Sequence, residues 1–155
     1  MKMRTVGVGF VLLLLLWVVP PMLFMRLNKY FDWPMVNFYG LRFVGIGLIL
    51  GTAVMDIYLF GLFKVFGKGT PVPIEPSKKL VAVGPYVRTR NPMYLGHLAI
   101  YLGVFLYFGH LALLLLLLLM AMGLHLLVTQ WEEPGLKRRL GKDYLDYVKK
   151  VPRWI

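Results

Sequence analysis

The chain contains no cysteine. Disulfides, thiolate metal sites and cysteine nucleophiles are therefore excluded, although the compartment is not fixed by this. Acidic side chains are scarce: seven Asp and Glu stand against 18 Lys and Arg, a net charge of +11. Its three histidines, His97, His110 and His125, are scattered and have no metal-ligand spacing. No internal repeat of 20 to 50 residues is visible. There is also no polar domain with interleaved aromatic and basic residues, so the charge does not read as a nucleic-acid surface. Apolar residues are abundant instead. They make up 59% of the chain, against about half in a soluble domain, and they fall in long runs. The expected class is an all-α integral membrane protein, forming a single domain over residues 1–155.

Four segments are apolar enough to span a bilayer: roughly 5–25, 37–66, 92–108 and 110–131. Lys2 and Arg4 precede the first, as in a secretory leader, but the run Val6–Met25 is long and no small-x-small site follows it. It reads as a retained transmembrane helix, with Pro20-Pro21 kinking or breaking its last turn. Only Gly109 and His110 separate the last two spans, which predicts a tight antiparallel hairpin. In the second span, Gly47 and Gly51 form a small-xxx-small pattern that reads as helix packing.

Charge supplies the orientation. With both termini cytoplasmic, 15 basic residues face inward and three outward, as positive-inside asymmetry favours. The cytoplasmic side then holds the loop 67–91, which carries Pro71, Pro73, Pro76 and Pro85, and the tail 132–155. The prolines predict an ordered or extended loop, and loops this long are often functional. In the tail, Leu136, Leu140, Tyr144, Tyr147 and Val151 recur at helical spacing opposite basic residues. That predicts an amphipathic helix, either lying on the lipid surface or covering the loop.

Two polar clusters meet on this side. Arg88, Arg90, Asn91 and Tyr94 begin the third span, and Glu132 and Glu133 end the fourth. Because these spans form an antiparallel hairpin, the clusters lie at one depth. Basic groups, a helix N-terminus and two carboxylates converging on one place suit a ligand carrying both signs of charge. A structural alternative fits the same residues: Asn91-Pro92 as an N-cap and first helical residue, Tyr94 as an interfacial anchor, and Glu132–Arg90 as an ion pair.

The run Arg90-Asn91-Pro92-Met93-Tyr94-Leu95-Gly96, followed about 35 residues later by Glu132-Glu133, resembles the motif of the isoprenylcysteine carboxyl methyltransferase and phospholipid methyltransferase superfamily. Leu136, Gly141, Tyr144, Tyr147 and Val151-Pro152-Arg153 resemble its C-terminal segment. The loop from Gly69-Thr70-Pro71 to Gly84-Pro85-Tyr86 resembles small prokaryotic members, and the likeness covers roughly residues 67–155. Asn91 departs from the pattern, because many members have His there. An Asn cannot carry a proton at neutral pH, so a proton relay at this position is in doubt.

The resemblance implies S-adenosylmethionine as methyl donor, leaving as S-adenosylhomocysteine, and a lipid or isoprenoid-like acceptor entering from the bilayer. It implies a cofactor site formed by Tyr86, Arg90, Asn91, Tyr94, Gly96, His97, Glu132 and Glu133, with Arg90, Glu132 and Glu133 nearest the chemistry and no metal. An acceptor carboxylate would need no base. For an acceptor amine, Glu132 or Glu133 is the expected proton acceptor. Asp56, an acid inside the second span, either lines the site or pairs with a base of the loop or tail. His97 lies one turn deeper than Tyr94, and either lines the pocket or bonds a neighbouring helix. His125 and Thr129 lead toward Glu132, with His125 facing the acceptor's path. The alternatives are a membrane reductase on the related sterol-reductase scaffold, using NADPH, and a non-catalytic membrane protein. The acceptor and the oligomeric state are not legible.

Overall fold

The computed structural model describes residues 3–36, 39–71 and 76–155, without the side chains of 3–6, 8–10 and 12–14. The expected start of the second span at Asn37, Pro73 of the loop, and Lys2 fall outside the described residues. Among the described residues six α-helices follow one another: α1 (Met3–Tyr30), α2 (Leu41–Leu62), α3 (Pro92–Phe108), α4 (Leu111–Leu127), α5 (Glu133–Leu140) and α6 (Lys142–Lys150). A π-turn extends α2 over Phe63–Gly67, and another extends α4 over Val128–Glu132. Among the described residues two continuous helical stretches, Leu41–Gly67 and Leu111–Leu140, are long and apolar enough to cross a membrane, and Pro92–Phe108 is apolar but shorter.

The first helix does not break at Pro20-Pro21; it continues to Tyr30. Proline at position 20 has no N–H, so the carbonyl of Leu16, one turn earlier, loses its intrahelical donor. The Tyr101 hydroxyl of α3 donates to that carbonyl at 2.7 Å. A neighbouring helix thus satisfies the freed group, which is how apolar surroundings tolerate a proline within a helix. Tyr101 is 1% exposed and sits in a core with Phe105, Leu113 and Leu116, against Phe24 and Met25 of α1.

Helices α2 and α3 cross closely through small residues, but not through the expected pair. Gly47 and Gly51 are exposed, and a Cβ on either would meet nothing. The contact is made by Gly45, whose added Cβ would come 2.6 Å from the Gly103 carbonyl, and reciprocally by Gly103 against the Gly45 carbonyl. Seven residues along each helix, Thr52 meets Gly96, and the Thr52 hydroxyl lies 3.4 Å from the Gly96 carbonyl. The buried stripe of α2 runs Gly45, Thr52, Asp56, Leu59, and Gly47 and Gly51 lie off it. Two heptad-spaced small pairs, rather than one small-xxx-small motif, set the backbone approach.

The hairpin between α3 and α4 turns at Gly109 (φ +71°), where a Cβ would overlap the Val36 carbonyl. Asn28, 1% exposed at the end of α1, accepts from the Ala112 N–H at 2.9 Å and donates to the Trp33 carbonyl at 2.8 Å. It therefore caps the start of α4 from across the bundle. The tail is not one amphipathic helix. Gly141 (φ +56°, ψ −127°) takes a conformation outside the helical region and splits it into α5 and α6. Their apolar face covers the loop: Tyr144, Tyr147 and Val151 pack with Leu80, Leu136, Leu140 and Val148.

Two outcomes follow for stability in detergent. Gly103→Ala loses about 2 kcal/mol by overpacking the crossing, whereas Gly47→Ala changes stability by less than about 0.5 kcal/mol. Tyr101→Phe loses about 1–3 kcal/mol because the Leu16 carbonyl is left without a donor. Thermal unfolding of the purified variants checks both.

Candidate active site

The motif following the loop is built around one carboxylate. Gly84 (φ +59°) turns the chain, and Pro85 opens a short 3₁₀ turn, Gly84–Val87, that buries Tyr86. Tyr86 packs with Leu59 of α2 and Val81 of the loop, and its carbonyl accepts from the Tyr147 hydroxyl at 2.6 Å. The backbone then runs beside the end of the tail. The Arg90 N–H donates to the Pro152 carbonyl at 3.0 Å, and the Thr89 hydroxyl and the Asn91 amide both donate to the Arg153 carbonyl, at 3.1 and 2.9 Å. Asn91 stands at the N-cap position of α3 with Pro92 following, but its side chain makes no cap bond. The sequence reading of a capping side chain is therefore corrected: the amide is used to hold the tail, and the first turn of α3 has no side-chain cap.

Glu133 closes the arrangement. Its Oε1 lies 3.0 Å from Arg90 Nη1, and Arg153 binds it through two bonds, Nε to Oε1 at 2.7 Å and Nη2 to Oε2 at 3.1 Å. The side chains of Arg90 and Glu133 are 8% and 9% exposed. The two-pronged geometry is the strong form of an arginine–carboxylate pair. Arg90 also reaches the Tyr144 hydroxyl at 3.4 Å, while its Nε is buried without a hydrogen-bond partner. The ion pair to Arg90 is thus made by Glu133, and the expected Glu132–Arg90 pair is not formed. The π-turn Val128–Glu132 sets the two neighbouring carboxylates on different partners. Glu132 accepts a hydrogen bond from the Tyr94 hydroxyl.

Between these groups lies a cavity of about 320 Å³, at the lower end of the range for small-ligand sites. Tyr86, Arg90, Asn91, Tyr94, Glu132 and Glu133 all line it. Gly96 and His97 do not. Gly96 is buried where α3 meets Thr52 and Met55, and the ring of His97 accepts from the indole N–H of Trp17 at 3.2 Å. Arg88 is exposed and outside the lining. His125 is exposed, is outside the lining, and accepts from the Trp154 indole N–H at 3.2 Å. Asp56 is 5% exposed and is not part of the cavity lining, and neither of its carboxylate oxygens is hydrogen-bonded.

Burial raises the Tyr147 phenol to about 12, and it raises the Tyr86 phenol as well, with smaller contributions from Tyr147, Asp56 and Glu132. Both stay neutral hydrogen-bonding groups at physiological pH. The lining residues that sequence reasoning did not assign to the site include Trp131, Arg139, Tyr144, Tyr147, Phe63 and Met93. For the tyrosines a signal was present, since a tyrosine on a buried apolar face brings a hydroxyl that needs a partner. Trp131, 74% exposed at the rim, carries no such mark.

A family model for phospholipid methyltransferase matches residues 41–143. The match spans well over half the chain, and the chain belongs to the phospholipid methyltransferase family. No curated protein and no solved structure matches it. Membership makes it an enzyme of a methyltransferase family, and its apolar helices accord with a membrane protein. The match includes Arg90, Tyr94, Glu132 and Glu133 but ends before Tyr144 and Arg153, which complete the cavity's closure.

Removing the Glu133 charge leaves two arginines at the centre of this arrangement without their counter-ion. Glu133→Gln is expected to cost about 3 kcal/mol and to free the tail for proteolysis. Glu132→Gln keeps the ion pairs and changes thermal stability by less than about 1 kcal/mol. Differential scanning fluorimetry and limited trypsin digestion in detergent distinguish them.

Proposed function

We propose that the chain is a multi-pass membrane enzyme that transfers a methyl group from S-adenosylmethionine to a lipid-like acceptor, with both termini and the cofactor cavity on the cytoplasmic side. The observation that carries this reading is the cavity itself: it brings carboxylate, guanidinium and aromatic groups together where α3 begins and the helix after α4 ends, in a chain of a methyltransferase family. When bound, the donor supplies a methyl on a positively charged sulfur, open to displacement by a nucleophile. Its zwitterionic amino-acid part, positive sulfonium and flat adenine need opposite charges and apolar walls in one small space.

The residues present fit that demand. Arg90 retains a buried Nε without a partner, and the uncapped first turn of α3 adds N–H donors, so a carboxylate is bound at this end. Glu132 lies on the lining and is held by the Tyr94 hydroxyl, which suits an ammonium or ribose hydroxyls. Tyr86, Met93 and Trp131 give flat or polarisable walls. Glu133, neutralised by two arginines, serves as the strut that keeps α3, the loop and the tail in place, and so as a positioning residue. With α5, α6 and the loop packed over the cavity, the reacting groups are held in line and away from water, which is most of what a displacement of this kind requires.

The test is binding. S-adenosylhomocysteine and S-adenosylmethionine stabilise the detergent-purified protein and give micromolar to submillimolar affinity by calorimetry, whereas NADPH gives no response. Glu132→Gln, which leaves the ion pairs intact, weakens S-adenosylhomocysteine by about tenfold. A response to NADPH and none to the sulfur ligands would establish the reductase reading instead.

A further inference from the structure

The loop after α2 folds back on itself. Its outgoing arm is Gly67-Lys68-Gly69-Thr70, and its returning arm is Pro76-Ser77-Lys78-Lys79. The Gly67 carbonyl accepts from the Lys78 and Lys79 N–H groups at 2.8 and 3.2 Å, and Thr70 pairs with Pro76. The arms lie in close contact. A Cβ on Gly69 would come 2.7 Å from the Pro76 carbonyl oxygen, and one on Gly67 would come 3.1 Å from the Ser77 Cβ. Between the two glycines Lys68 takes the left-handed conformation (φ +51°), which is unfavourable for a residue with a Cβ. This pairing sets Lys68 and Lys78 on one recess, together with Gly69, Pro76, Ser77 and Arg139 of α5.

The described lining of the recess holds three cations and no acid. Arg90 and Arg153 share Glu133, and Lys149 has Asp146. Lys68, Lys78 and Arg139 make no ion pair among the described residues. Three like charges brought to one place repel one another, and the net charge of +11 adds to that repulsion. A counter-anion in the recess removes it. Ser77, 6% exposed, is a buried polar residue of the same wall. The donor set selects among anions. Ammonium groups act as point charges, a guanidinium binds two oxygens at once, and a hydroxyl adds a neutral donor. A phosphate offers oxygens in several directions to such a set, whereas a carboxylate offers them in one plane.

We infer that the recess between the two arms of this loop and α5 is a binding site for a phosphate group, carried by a free phosphate or by an anionic lipid headgroup. The site is separate from the methyl-transfer chemistry and does not depend on what the larger cavity binds. Pro76, Ser77 and Arg139 line both spaces, whereas Lys68 and Lys78 line the recess alone. The variants that test it are therefore made at the two lysines, both of which are exposed.

The experiment uses the full chain in detergent, with no sulfur ligand added. Wild type is compared with the double variant Lys68→Gln/Lys78→Gln. It is also compared with Lys142→Gln/Lys150→Gln, which removes the same charge from α6, outside the recess. Two probes are used: inorganic phosphate, titrated at constant ionic strength and followed by phosphorus NMR line width, and phosphatidylglycerol in competition with phosphatidylcholine, with retained lipid counted by native mass spectrometry. Wild type and the α6 variant are expected to bind at least one probe saturably, and the recess variant to bind it about tenfold more weakly. Lys78→Gln alone, expected to weaken binding about threefold, repeats the test with the left-handed Lys68 intact. Binding of inorganic phosphate supports the free source, and preferential retention of phosphatidylglycerol supports the headgroup. Wild type that binds neither probe overturns the site. Binding by the recess variant equal to wild type also overturns it. So does an equal loss in the α6 variant, which would reduce the effect to net charge.

Discussion

The cavity depends on one carboxylate, Glu133, held between Arg90 and Arg153. Arg90 comes from the strand of loop entering α3, Glu133 from the first turn of α5, and Arg153 from the end of the chain. Three segments that have no helical packing in common are joined at a single buried charge. An ion pair of this kind contributes little net stability relative to apolar packing, since desolvation offsets the attraction. Its value here is in geometry. The two-pronged contact fixes the tail's direction, and the backbone bonds from Thr89, Arg90 and Asn91 to Pro152 and Arg153 then follow along it. The tyrosines of α6 are placed by the same closure, Tyr144 beside Arg90 and Tyr147 under Tyr86.

That closure works only because α2, α3 and α4 hold their ends at fixed heights. Apolar surroundings give little reason for helices to prefer one depth over another, so close approach through small residues and buried hydrogen bonds must set it. Gly45 against Gly103 and Thr52 against Gly96 fix α2 on α3. The Tyr101 hydroxyl on the Leu16 carbonyl and Asn28 on the Ala112 N–H fix α1 against both helices of the hairpin. The last two use a backbone group left open by a proline or a helix end. Incomplete local helical bonding thus registers α1, and close approach through small residues registers α2 on α3.

How much of this could be read from the sequence differs by element. The apolar runs, the Gly109-His110 turn and the meeting of Arg90 with the Glu132-Glu133 pair were legible, because hydropathy, a turn glycine and antiparallel geometry are local signals. The continuous α1 was not, because Pro20-Pro21 reads as a break unless one knows that Tyr101 lies opposite. The partner of Asn91 was also hidden. An Asn-Pro pair ahead of a helix has the local form of a cap, and only the tail's return, more than sixty residues later, diverts the amide. Similarly, the amphipathic pattern of the tail persists across Gly141, so periodicity alone did not reveal the break. Gly47 and Gly51 of α2 had the local form of a packing motif, and which small residues pack is decided by the face that α3 occupies.

The three acids of the region, so few in a chain of +11 charge, are sorted by what each is bonded to. Glu133 is charge-compensated twice and cannot exchange partners without releasing the tail. Glu132 has a single phenolic donor and remains on the cavity lining, able to take a second donor from a ligand. Asp56 has none. Each additional carboxylate in so basic and apolar a chain would offer the arginines a competing partner and loosen the clasp on which the cavity depends.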